Sequence, residues 1–252
     1  MDYKKILKGI LDIGEAMINS GAEIGRVEDS MYRLCRSYGF VRTNCWVISS
    51  NIQATVETPE GDIFTQIRHV PGGEMNFDRL DYLNNLSRKA CATTPDAPEL
   101  RAMLDEVLNR PAQPRWMHYL AGVLGGTGFA VFFNCDVLDS VVAVLASLII
   151  IALGEVLEKH ENNPLIYNAI ISFVVEVFIL VSVHFGFGHH HSNITLGVVM
   201  LLISGIGFTN GIRDVLHRDT LSGIINISTS VLGATGIAIG IALPILLMKG
   251  VL

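Results

Sequence analysis

Charge nearly disappears from this sequence after Arg115. Of its 42 Asp, Glu, Lys and Arg residues, 30 lie in the first 115 positions and only 12 in the remaining 137. A soluble domain needs charged side chains over most of its surface, so only the first part reads as one. A basic excess is missing too. Eighteen Lys and Arg stand against 24 Asp and Glu, for a net charge of −6, which argues against nucleic acid as a partner. Cysteine is scarce: Cys35, Cys45, Cys91 and Cys135 form no CxxC pair. They read as free, partly buried thiols in a reducing compartment, and neither a metal nor a cofactor is expected. The start of the chain lacks the apolar core of a cleavable signal, because Asp2, Asp12 and Glu15 interrupt it.

What is present in the first part is a small α+β pattern. Ile6, Leu7, Ile10, Leu11, Met17 and Ile18 recur at helical spacing over 3–19. Ser20 with Glu23 fits a capping box that opens a second helix running to about Ser37. Residues 44–57 and 62–70 are rich in Val, Ile and Thr, and the turn residues 58–62 between them predict a β-hairpin. Helices follow at 77–92 and 97–109, the second opened by Asp96 with Pro98 in its first turn. Pro111 and Pro114 mark the boundary, so residues 1–112 read as the soluble domain and 113–252 as the membrane part.

Five apolar stretches in the membrane part approach the ~20 residues a bilayer crossing needs. They are 116–134, 138–157, 167–187, 193–212 and 222–248. The expected fold is therefore a multi-pass α-helical membrane protein with five transmembrane helices and an N-terminal soluble α+β domain. Arg110, Arg115, Lys159, Arg213 and Arg218 fall on one side of these spans and Lys249 on the other. Positive loops stay inside, which predicts a cytoplasmic N-terminal domain and an outward C-terminus. Glycine pairs at GxxxG spacing, Gly122/Gly126, Gly207/Gly211 and Gly236/Gly240, suit close helix packing.

Glu176 is the one carboxylate near the middle of a span. At that depth a charge costs at least ~2.5–3.5 kcal/mol, so the group is expected to face the bundle interior. Proton coupling or substrate contact is the functional reading, and a structural hydrogen bond is the plain one. A polar cluster also gathers where the fourth and fifth spans meet: Thr209, Asn210, Arg213, Asp214, Asp219 and Ser222, continued into the fifth span by Asn226, Thr229 and Ser230. Buried polar groups need partners, so this run suits a hydrophilic path for a small polar or anionic solute. His189, His190 and His191 are adjacent in sequence and rarely share one ion, so a solvated loop is favoured over a metal site. In the soluble domain Arg26, Glu28 and His69 are candidate reactive groups. No nucleophile–base spacing or phosphate loop accompanies them, so no catalytic residue is assigned.

Gly14, Ser20-Gly21-Ala22, Arg26-Val27-Glu28, Arg68, Asn84 and Ser87-Arg88 resemble the N-terminal domain of the threonine/serine exporter family. Thr209-Asn210-Gly211-Ile212-Arg213-Asp214 with Asp219-Thr220-Leu221-Ser222-Gly223 resembles that family's membrane motif. Ser204-Gly205 stands where the family pattern has Pro-Gly. The family includes the larger subunit of a two-subunit succinate exporter. The resemblance implies an exporter subunit of the inner membrane for threonine, serine or a dicarboxylate. It further implies a second small membrane subunit beside this five-span half. A homo-oligomer is compatible with the same reading. Two rivals from other classes are a membrane-anchored, hydrolase-like enzyme working through the cytoplasmic domain and a regulatory subunit that senses substrate.

Overall fold

The computed structural model describes residues 1–73, 75–111, 113–161 and 163–248. Lys249 and the C-terminus, used above for orientation, lie outside them, as does Ala112 at the expected domain boundary. The chain forms two compact units. The first joins Met1–Pro111 to Thr209–Asn226, and the second joins the residues up to Phe208 to those from Ile227 onward.

In the first unit, α1 (Tyr3–Asn19) starts where the Asp2 carboxylate accepts the Lys5 N–H. Its apolar stripe of Ile6, Leu7, Ile10, Leu11, Ile13 and Met17 is buried, as 3.6-residue periodicity requires. The expected capping box is not formed. The Ser20 hydroxyl turns back to donate to the Ala16 carbonyl at 2.8 Å, closing the last turn of α1. Glu23 is itself the N-cap of α2 (Ile24–Ser37) and makes no side-chain cap bond.

The strand region also differs from expectation. Residues 44–57 are not one strand but most of two, β1 (Arg42–Ile48) and β2 (Asn51–Glu57), which turn at Ser49-Ser50. With β3 (Ile63–His69) they make an antiparallel meander in the order β1-β2-β3. Ile52, Ala54 and Val56 face the core from β2. The Val/Ile/Thr enrichment continues on both sides of the turn, and only the phase of the alternation changes, from odd positions facing inward in β1 (Cys45, Val47) to even ones in β2 (Ile52, Ala54, Val56). α3 (Phe77–Thr93) and α4 (Ala97–Leu108) are capped by Asn76 and Asp96, whose side chains accept the N–H groups of Arg79 and Glu99. The core is a single cluster in which Leu7, Met31, Leu34, Ile52, Leu83, Leu100 and Leu104 are each at most 1% exposed. Asp12 holds both Arg68 and Arg101, which ties α1 to β3 and α4.

The second unit contains α5 (Arg115–Phe132), α6 (Val137–Leu157), α7 (Pro164–His184) and α8 (His191–Val199). Two further helices, α9 (Gly205–Leu216) and α10 (Thr220–Met248), have residues in both units. Among the described residues, α6, α7 and α10 are long and apolar enough to cross a membrane. Their most apolar windows are only 39%, 39% and 28% buried, so most of this apolar surface faces outward, as lipid contact demands. α5 opens with Arg115, Trp116, His118 and Tyr119, which shortens its apolar part. The stretch expected as one span at 193–212 is two helices, α8 and α9, separated by irregular chain at Met200–Ser204.

Close backbone approach holds this unit together. Gly122 and Gly126 on α5 face Ile151 and Ser147 of α6, and Gly197 on α8 lies against Ala130 of α5. Gly236 and Gly240 on α10 lie against the backbone of α7 at Leu165 and Ala169. Small residues at such contacts let main chains meet where a larger side chain would hold them apart. The apolar core here runs through Val142, Ala146, Ile171, Val175, Ile179, Ile194 and Val198.

Candidate functional site

One face of α7 is polar inside an apolar unit. Asn168, Ser172 and Glu176 follow at four-residue spacing and all are buried, which stacks them along a single helix side. Glu176 is 1% exposed. Its Oε2 accepts the Thr195 hydroxyl of α8 at 2.7 Å. Its Oε1 and the Ser172 hydroxyl have no hydrogen-bond partner among the described residues. Asn168 Nδ2 donates to the Gly233 carbonyl of α10 at 3.2 Å.

A cavity of about 230 Å³ opens at the break between α8 and α9. Its polar lining is Asn168, Ser204, Thr229 and Ser230, with Phe208 and Ile203 as apolar wall. A few converging polar groups in an otherwise apolar hollow are what fixes the orientation of a small ligand. The break matters because its residues Ile203 and Ser204 line the cavity, as interrupted helices do at solute sites.

At the opposite end of α7, the loop before α8 is bound to the start of α6. Asp139 accepts the His189 and His190 N–H groups at 2.7 and 3.2 Å, and its Oδ2 lies 2.9 Å from His190 Nδ1. His189 Nδ1 lies 2.6 Å from Asp136, and that hydrogen bond raises the pKa of the ring. Asp136, Asp139 and His189 place ligand atoms within 4.8 Å of one another, a spacing that could hold a metal ion. The Asp139 oxygens, however, are already supplied with donors, so the arrangement is accounted for as a tether for the loop.

The polar cluster at the α9–α10 turn belongs mostly to the first unit. Arg213 pairs with Glu23 at the N-terminus of α2. Asp214 is buried and accepts Asn226 Nδ2 at 3.2 Å, and the Ser49 hydroxyl donates to Asn226 Oδ1 at 3.3 Å. Asp219 returns its N–H to the Asp214 carbonyl at 2.9 Å and lies near Gly25 of α2. Ser222 is buried. Gly223 sits so close to the Gly211 carbonyl that a Cβ would fall 2.6 Å from it. Of the residues expected to shape a path, Glu176, Thr229 and Ser230 thus belong to the second unit. Thr209, Asn210, Arg213, Asp214, Asp219, Ser222 and Asn226 belong to the first.

Arg26 and Glu28, the candidates in the soluble part, do not form a pair. The Arg26 guanidinium is 3.6 Å from Glu23. Glu28 Oε1 accepts the Val47 N–H at 3.0 Å and so fastens α2 to β1. His69 is exposed at the end of β3. Burial raises the Glu28 carboxyl above its ordinary 4.5, against the Val47 bond, which lowers it. The folded state therefore keeps this proton to higher pH than the unfolded chain does. Stability is lost as pH climbs from the unfolded value through the raised one. Glu28→Gln keeps an acceptor for Val47 and removes the titration. Melting of purified wild type and variant from roughly pH 4 to 7 is expected to show the variant gaining on wild type as pH rises. A constant gap would refute it.

Asn168, Ser172 and Thr195 escaped the sequence reading, and Ser204 was noted only as a departure from the family pattern. The signal for the first two was present, since they precede Glu176 by eight and four residues. Nothing in the sequence tied Thr195 or Ser204 to the same unit's polar interior. No curated protein and no solved structure matches this chain. Residues 8–248 match the model of a family described as "Putative threonine/serine exporter", and the chain belongs to that family.

Proposed function

We propose that this chain is a subunit of an inner-membrane exporter for small polar metabolites, threonine and serine foremost and a dicarboxylate such as succinate next, driven by the proton gradient. The observation that carries the reading is the buried Glu176 carboxylate, with one oxygen on Thr195 and the other without a partner among the described residues. A group so placed can take up and release a proton as a solute passes. The 230 Å³ cavity at the α8–α9 break supplies a matching place for the solute, with Asn168, Ser204, Thr229 and Ser230 to meet hydroxyl, ammonium and carboxylate groups. In this reading α5, α6, α7, the broken α8–α9 pair and α10 make five crossings. The N-terminal domain is cytoplasmic and α10 runs outward. Arg213, paired with Glu23, offers a fixed positive charge for carboxylates. A second small membrane subunit completes the exporter.

The test is counterflow by the complex purified from its native membrane and reconstituted in liposomes. Saturable exchange of labelled threonine or serine is expected, with succinate as the next substrate to try. Failure to exchange any of the three would remove the reading.

A further inference from the structure

The first unit carries a second hollow, unrelated to the residues proposed for the path. It is a cleft of about 600 Å³ between α2 and α3. Four arginines line it, Arg26, Arg33 and Arg36 from α2 and Arg88 from α3, against one acid, Asp29. Two of the four are neutralised locally. Arg33 Nε is 2.9 Å from Asp29, and Arg26 faces Glu23. Arg36 and Arg88 have no carboxylate partner among the described residues, and Arg88 reaches only the neutral Asn85 side chain, at 2.6 Å. Ser30, Ser37, Asn84 and Ser87 add hydroxyl and amide groups to the same walls.

We propose that this cleft binds a small oxyanion carrying two negative charges, a dicarboxylate or a phosphate group. Two guanidinium groups without acids set the charge of the ligand. Their planar forks match the paired oxygens of carboxylate or phosphate, and the Ser30 hydroxyl and Asn84 amide add donors, whereas the Ser37 and Ser87 hydroxyls already donate to the Leu34 and Asn84 carbonyls. The site also has a route to the membrane junction. α2 contributes three of the four arginines, and its N-cap Glu23 is shared between Arg26 in the cleft and Arg213 at the α9–α10 turn. An anion that draws Arg26 toward itself leaves Glu23 to Arg213 alone. Occupancy is thereby coupled to the segment whose arginine the export reading assigns to carboxylates.

The experiment is calorimetric titration of the full chain in nanodiscs of zwitterionic lipid with sodium phosphate and with sodium succinate, against sodium chloride at equal ionic strength. One saturable site per chain is expected for at least one of the two anions. Arg36→Ala with Arg88→Ala should weaken it tenfold or more. Arg42→Ala with Lys89→Ala removes the same charge elsewhere and should change it less than twofold. Repeating the titration in discs containing anionic lipid distinguishes the source of the ligand. Competition there identifies a lipid headgroup as an occupant of the same site, and unchanged affinity identifies a free metabolite. No saturable binding of either anion in zwitterionic discs, or equal weakening by both double variants, would overturn the proposal. Neither result bears on counterflow by the reconstituted complex.

Discussion

Glu176→Gln should leave the protein folded and lower export by about tenfold or more, the rate change that ~1.4 kcal/mol of barrier produces. Glutamine has the shape of glutamate and still offers an oxygen to the Thr195 hydroxyl, which now lies 2.7 Å from Oε2. What it lacks is the ability to carry a negative charge and to exchange a proton. A carboxylate at this depth is expensive unless it is used, so neutralising it should hold or raise the melting temperature while it stops transport. The two readouts must therefore part company. A purified variant that is monodisperse and melts no lower than wild type, but shows neither threonine efflux nor substrate-linked proton movement, is the expected result. Efflux at the wild-type rate would make Glu176 a structural residue and would take proton coupling through it out of the mechanism.

Thr195→Val separates this role from packing. Valine keeps the volume of threonine and removes the only hydrogen bond that the Glu176 carboxylate makes among the described residues. If Glu176 moves a proton, loss of that donor changes how readily it does so, and the pH dependence of efflux should shift. If Glu176 is only a strut, Thr195→Val lowers the melting temperature and leaves the pH profile where it was.

How far the sequence foretold this arrangement depends on what kind of signal each feature leaves. α1 and α2 were legible because each carries an apolar stripe at helical period, and α4 because Asp96, which caps it in the structure, marks its start in the sequence. Ser20 and Glu23 had the spacing of a capping box, yet the same hydroxyl can close the preceding helix, and it does so through Ala16. Local pattern cannot choose between two partners that are both local, the Glu23 N–H that a capping box would offer and the Ala16 carbonyl. The turn at Ser49-Ser50 was missed because it holds neither glycine nor proline, and the alternation on either side of it is unbroken.

The break at Met200–Ser204 was hidden for a related reason. Met200, Leu201, Leu202 and Ile203 are as apolar as any helix interior, so hydropathy reads straight through them. In the structure Leu201 lies against Gly125 and Gly126 of α5, a contact between distant parts of the sequence. Of the site, Glu176 and Ser230 stood out because polar residues are rare in apolar runs. Ser204 acquires meaning only from the break beside it. Arg213 was legible as a charge near a membrane boundary, whereas its partner Glu23, 190 residues earlier, was not.

The packing of α10 on α7 makes the second large prediction. A Cβ on Gly236 would fall 3.0 Å from Leu165 Cα and closer still to its carbonyl oxygen. Both are backbone atoms, so no side-chain rotation relieves the contact and the helices must separate. Gly236→Ala is expected to cost about 1–3 kcal/mol, the usual range for overpacking. Gly240→Ala should behave alike, since its Cβ would meet the Ala169 carbonyl at 2.5 Å. Gly128→Ala on α5 is the contrast. Nothing lies within 4 Å of the added methyl there, and removing a helix glycine favours the helix by up to ~1 kcal/mol. Melting temperatures in one detergent should therefore rank Gly128→Ala at or above wild type and both α10 variants below it. The same seam carries Asn168 on Gly233 and forms one wall of the cavity. Separation large enough to admit a methyl should consequently reduce threonine efflux in Gly236→Ala beyond the loss of folded protein. If Gly236→Ala melts with Gly128→Ala and exports normally, the two helices do not meet at that seam, and the cavity loses the wall that Asn168 and Gly233 give it.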